Sequence, residues 1–339
     1  MNVPLSALNE IPYLDGASLA GRHINLMPFW DGQDWHSWFP FPPEKLFYAK
    51  NNVVAVQYYW GTVPRQPSDI YIPFVDLMFQ RVCFGEVFEH ITSISADISN
   101  FSVSLAKIQH TFNTRAVINE YLINEFIATE IEYILTNSRS IFDHLHEIIC
   151  WLWTKIEYRP DENGKVKRNQ KLPQKLSSFL LANGEPRPFD EIVEKYGMPE
   201  LLAKEFEKHS LLFSKIRKYR DAVIHKGSSV EFIFTTDQGF CVRYDQKPFA
   251  DFYSTIDLKN YYHNENLVSL MPWIAYIIRG TIEACNNITT AFSKVFELPG
   301  TIAPDFKIYF WDHSGKSLLT ILDIQDGGSP WWEETSLKS

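Results

Sequence analysis

The segment from about Asn119 to Ile156 constrains the fold more than any other. Apolar residues fall at Ile131, Ile134, Leu135, Ile141, Phe142, Leu145, Ile148, Ile149 and Leu152. Gaps of three and four return side chains to one face of an α-helix, so the segment predicts one long amphipathic helix with a buried stripe. Glu132, Arg139, Asp143 and His146 are separated by 7, 4 and 3 and share a second stripe. Two readings of that stripe stay open. It is a solvated face with an i,i+4 ion pair between Arg139 and Asp143, or a polar lining facing a second helix.

Around this helix the chain reads as mainly α. The expected architecture is a helical bundle with an aromatic-rich N-terminal region, a β-hairpin insertion and a small β-containing C-terminal tail. Residues 1–72 carry Pro28, Pro40, Pro42, Pro43, Pro64 and Pro67, which break any long helix. Asn52–Trp60 is the best strand there, β-branched and aromatic before Gly61. Helices begin near Pro73, and the helical domain is expected over 73–300. Residues 157–172 read as a polar, basic connection, followed by short helices at Gln174–Ala182 and Phe189–Tyr196. A stronger helix runs from Pro199 to Lys226 on a stripe of Leu202, Phe206, Phe213, Ile216 and Val223. Pro199 suits its first turn and Gly227 the position past its end. Val230–Thr235 and Phe240–Tyr244 flank a glycine turn and predict a hairpin near 229–245. A last long helix covers about Asn266–Phe296. The tail, 301–339, packs on the body with strand-like pieces at Phe306–Trp311 and Leu318–Ile324.

Hydrophobic residues make up 45% of the 339 and charged residues 22%, which places the chain among globular proteins. The most apolar stretch, Leu267–Ile278, is too short to span a bilayer and contains Pro272, so it reads as part of a buried helix. The N-terminus lacks the pattern of a secretory leader. The cysteines at 83, 150, 241 and 285 form no CxxC pair. No metal site, no cofactor, no membrane contact and a cytoplasmic setting are the corresponding expectations. Net charge is −9, against general affinity for nucleic acid. Yet Lys155–Lys226 holds 16 Lys and Arg against 11 Asp and Glu, or +5, while the remainder holds 16 against 30, or −14.

That basic stretch ends on Arg220-Asp221-Ala-Val-Ile-His225. Gly315-Lys316-Ser317 is no P-loop, since Phe310 stands where a glycine is required. His144 and His146 are two apart on a helix and make a poor metal pair. Arg139 matches the Arg-to-His spacing too, with His144 and His146, so context rather than spacing singles out 220–225. On a regular helix five residues turn by about 500°, which leaves Arg220 and His225 about 140° apart. They converge if His225 lies in a fraying last turn before Gly227. Asp221, four before His225, can bond its ring and fix the tautomer. Arg220 can hold a phosphate in a bidentate grip, and His225 can move the proton of a 2′-hydroxyl or of the leaving oxygen. The plainer reading is a helix end where Arg220 pairs with an acid and His225 meets free carbonyls.

Arg220-Asp221-Ala-Val-Ile-His225 late in a helix, with Tyr219 before it, resembles the signature of the HEPN superfamily. The earlier helix Glu130-Ile-Glu-Tyr-Ile-Leu-Thr-Asn-Ser-Arg139-Ser-Ile-Phe-Asp143-His-Leu is similar to the first long helix of bacterial members. The resemblance covers about residues 120–297. It implies a helical bundle and a metal-independent endoribonuclease that cuts single-stranded RNA by 2′-hydroxyl attack, leaving a 2′,3′-cyclic phosphate. It further implies a homodimer with a composite cleft, in a toxin–antitoxin or antiviral defence role. In that reading Arg220, His225 and Asp221 are catalytic, and Arg139, Arg217 and Lys226 hold the RNA backbone. The alternative is a non-catalytic helical interaction module that binds a protein partner through the aromatic N-terminal region.

Overall fold

The prolines of residues 1–72 leave room only for short elements. After α1 (Leu5–Leu8) come β1 (Phe29–Trp30), β2 (Trp35–Phe41), β3 (Lys45–Lys50), β4 (Tyr58–Gly61) and β5 (Ile70–Tyr71). The structure, a computed structural model, describes residues 4–41, 45–50, 56–155, 171–226, 230, 232–253, 256, 259–311 and 317–332; of 5, 223–226 and 325 it describes the backbone alone. The strand expected at Asn52–Trp60 is therefore met only at its end, by β4, and residues 51–55 lie outside the described set, as do 157–170 of the basic connection.

Short helical turns already occur at Leu5–Leu8 and Gly16–Leu19, and the run of helices that the sequence places near Pro73 opens there. Here α2 (Pro73–Leu77) continues into one π-turn, Met78–Val82. Two long helices follow, α3 (Phe88–Asn113) and α4 (Glu120–Lys155), then α5 (Leu176–Leu180), β6 (Leu181–Ala182), β7 (Glu185–Pro186), α6 (Phe189–Tyr196) and α7 (Glu200–Lys226). The chain continues through β8 (Phe234–Thr235), β9 (Phe240–Arg243), α8 (Phe249–Tyr253), β10 (Leu267–Ser269), α9 (Met271–Val295), β11 (Lys307–Phe310) and α10 (Ser317–Asp323). The protein is mainly helical. All nine apolar residues of the α4 stripe are buried, against α3, α7 and α9. Burying each such side chain is worth roughly 1.5–3 kcal/mol before entropy is counted.

Three sequence expectations are corrected. Leu318–Ile324 is helical and not a strand, with α10 running to Asp323 and a 3-10 turn opening at Ile324. Its run of Leu and Ile suits either period, but Leu318, Ile321 and Ile324 are buried at helical spacing where α10 meets α9 and α3. Leu267–Ile278 is not one helix, and the last long helix does not reach back to Asn266. Pro272 belongs in a first turn, so α9 starts at Met271, and Leu267–Ser269 is free to pair with Arg243–Cys241. The helix expected at Gln174–Ala182 stops at Leu180. Asn183 (φ 53°) and Gly184 (φ 89°) then turn β6 into β7, with both residues in the left-handed region that such a two-residue turn requires.

Between 230 and 245 the ladder is short. Phe234 pairs with Cys241 and Thr235 with Phe240, and β10 completes a three-stranded antiparallel sheet. Gly239 (φ 148°) closes the turn, where a Cβ would sit 2.4 Å from Trp332 of the tail.

The larger sheet joins the two ends of the chain. Its strand order is β3-β2-β1-β4-β11-β5, so the C-terminal strand lies between two N-terminal ones. Inside the body, Arg22 donates to the carbonyls of Gln80 (2.8 Å), Gly300 (2.6 Å) and Ser18. Gln80 in turn bonds the backbone of Ala303 and Phe306. The inner face of the sheet carries Phe29, Trp60 and Ile308 into the main core. The outer face gathers Trp35, Tyr59 and Tyr309 into a second cluster, with the Arg65 guanidinium over Trp311.

Candidate functional site

The Arg139 side chain leaves α4 toward α7. It is only 12% exposed, its guanidinium lies 4.4 Å from the centre of the Phe213 ring, and its Nη2 donates to Asp143 Oδ1 at 2.8 Å. The i,i+4 ion pair anticipated from the sequence thus exists, but on a polar lining between two helices. Burial, the largest cause, pulls the Arg139 pKa down and pushes the half-exposed Asp143 carboxyl up, against the stabilising charges of Arg139 and Arg220.

From α7, Arg217 and Arg220 reach the same seam. Arg220 Nη1 donates to Asp221 Oδ1 at 3.1 Å, and Arg217 Nε stands 3.5 Å from Asp221 Oδ2. Arg220 is 33% exposed, so it is not sealed in a buried ion pair. Three guanidiniums here share two partner carboxylates, Asp143 and Asp221. Two of their N–H groups, Arg139 Nη1 and Arg220 Nε, are buried with no hydrogen-bond partner among the described residues; so is the acceptor Glu132 Oε1, two turns before Arg139. Buried polar groups are rarely left so, and a cluster of them asks for a ligand or an ordered water.

Helix α7 keeps its turn through Lys226, so positions 220 and 225 lie about 140° apart around one axis. The side chains of His225 and Lys226 lie outside the described set. Arg139, Arg217, Arg220 and Asp221 are brought together.

The remaining member of the α4 stripe does something else. His146 is buried, bonds Pro173 O through Nε2 (2.7 Å) and stacks on Phe179. Its neighbour His144 meets His90 of α3 instead. The two histidines that made a poor metal pair in sequence do face different partners. Among the described residues no group of three or more His, Cys, Asp or Glu could hold a metal ion, and no helix is long and apolar enough to cross a membrane. Burial pushes the Cys150 thiol up to about 12, which removes it as a nucleophile near neutral pH.

Sequence reasoning missed that Phe213 floors the site and that Asp143 comes under the charge of Arg220. The signal was present in part: Phe213 belongs to the α7 stripe and Arg220 lies seven residues, two turns, further on. No family model, curated protein or solved structure matches the chain.

Proposed function

We propose that this chain is a HEPN-like, metal-independent endoribonuclease that cuts single-stranded RNA by 2′-hydroxyl attack, in toxin–antitoxin or antiviral defence. The observation that carries the reading is the α4–α7 seam, where Arg220 is solvent-reachable beside Arg139 and Arg217 and two guanidinium N–H groups have no partner among the described residues. A phosphodiester supplies the acceptors those groups lack, in the planar geometry a guanidinium prefers. Arg220 holds the scissile phosphate and stabilises its developing charge. His225 transfers the proton, and Asp221, four residues before it and paired with two arginines, orients the His225 imidazole. Arg139, Arg217 and Lys226 hold the backbone. Positions 220 and 225 diverge on one helix, so the reading takes a composite form in which two copies share a cleft.

The test uses a labelled single-stranded RNA and the same strand with one 2′-deoxynucleotide at the mapped cut. Cleavage to a cyclic phosphate, lost on the deoxy strand, supports the reading. Cleavage that persists there rules out attack by the 2′-oxygen.

A second reading, a non-catalytic module that binds a protein partner, is favoured by one observation. Phe39, Phe41 and Phe47 stand exposed on one face of the β2–β3 pair, up to 60% for Phe41, and Tyr48 is exposed on the other face. Single soluble domains seldom show so many exposed aromatics side by side. Phe39→Asp with Phe47→Asp would then abolish partner capture and leave RNA cleavage untouched.

A further inference from the structure

Helices α3 and α4 run antiparallel in a steady register. Lys107 Nζ reaches Glu130 Oε1 at 2.8 Å, the Asp97 carboxyl bonds Ser140, and Phe84, just before α3, packs on Trp151 at 5.1 Å. Within that register His90 and His144 meet, with Nδ1 to Nδ1 at 3.0 Å, ring centroids at 5.2 Å and planes at 46°. Two identical ring nitrogens cannot both donate. One proton lies between them, and one ring always presents a lone pair. Both rings are half-buried, so each keeps a path to solvent.

We propose that His90 and His144 form a two-imidazole site for a tetragonal divalent transition ion, Cu²⁺ or Ni²⁺. The separation selects the class of ion. Metal–nitrogen bonds are about 2.05 Å, so nitrogens 3.0 Å apart subtend roughly 94° at a shared ion. That is a cis angle of square-planar or octahedral coordination, and well short of the tetrahedral angle zinc prefers. Convergence of the two lone pairs needs only a turn of each ring about χ2, which is a soft torsion for imidazole. On metal entry the ring that carried the Nδ1 proton becomes the Nε2–H tautomer through exchange with water, so both rings bind neutral and no net proton is lost. Water completes the coordination, since no third His, Cys, Asp or Glu joins the pair among the described residues. The Glu147 carboxylate, one turn beyond His144, adds a favourable field. This site is independent of the RNA-cleavage reading.

The experiment titrates full-length protein, stripped with EDTA and dialysed, with Cu²⁺ under calorimetric and electron paramagnetic resonance detection. The expected result is one ion per chain with hyperfine coupling to two nitrogens. His90→Gln and His144→Gln should each weaken that site by about tenfold or more and leave one nitrogen coupled. Unchanged stoichiometry and spectrum in both folded variants would overturn the proposal. If a variant fails to fold, wild-type imidazole ¹⁵N spectra decide. Substoichiometric Cu²⁺ must broaden the rings of His90 and His144 first, and earlier broadening of any other ring contradicts the site.

Discussion

Arg220 combines an accessible guanidinium with a buried Nε that has no partner among the described residues, and it is held by Asp221, which Arg217 also grips. A residue used mainly for stability would spend all its donors inside the fold. Replacing it should therefore separate activity from stability. Arg220→Ala is expected to lower RNA cleavage by about 10²–10³-fold, the usual effect of losing one charge-stabilising donor, with the unfolding free energy within about 0.5 kcal/mol of wild type. Arg220→Lys should fail to restore the rate, because an ammonium lacks the planar fork. Equal rates, or a large loss of stability in Arg220→Ala, would move the residue into the structural class. Phe213 sets the opposite expectation. It floors Arg139 and packs edge-on against Phe142. Phe213→Ala should cost about 3–5 kcal/mol in denaturant unfolding; a cost below about 1 kcal/mol would mean that the seam is not anchored there.

Elements differ in how far the sequence disclosed them. The starts of α4 and α7 and both bounds of α6 were legible to within a residue or two, because long stripes, Pro199 and the Gly197 stop are local signals. The large sheet was not legible. β11 finds its partners about 240 residues away in β4 and β5, and nothing local in Lys307–Phe310 names them. The same limit hid α10, whose apolar run suits two periods until α9 covers one face. At the site, Arg220 was legible as a motif residue. The Phe213 floor and the Asp143 neighbour depend on how α4 crosses α7, which single-chain periodicity does not state. The insertion of β11 makes a sharp prediction. A chain ending at residue 304 leaves β4 and β5 with open edges and removes the buried Ile308 and Phe310. It should aggregate or lose its cooperative melt. A soluble fragment that melts like the full chain would show that the tail contributes little.

At the scale of the whole molecule, titration of buried groups gives the protein a preferred pH range. His144, His146 and His209 all titrate below the ordinary histidine value in the folded chain, with burial the largest cause in each. The unfolded chain takes up those protons near pH 6.5. Stability from the neutral rings is therefore complete above about pH 6.5 and is lost as pH falls below it toward the depressed folded values. Asp76, Asp97 and Asp143, raised chiefly by burial, act in the opposite sense, nearer the carboxylate range. Melting followed from about pH 7.5 to 6.0 isolates the histidine contribution and should show a falling Tm; a rising Tm would contradict it. The +5 stretch from Lys155 to Lys226 sits in a chain of net −9, so the attraction for RNA comes from that stretch and not from the remainder. The central claim is that the protein cuts RNA with Arg220 and His225. Its most direct test is a time course on single-stranded RNA in EDTA, with wild type beside a folded His225→Ala variant. The account predicts cleavage by wild type and a loss of about 10²–10⁴-fold in the variant. No cleavage by wild type, or equal cleavage by both, would contradict it.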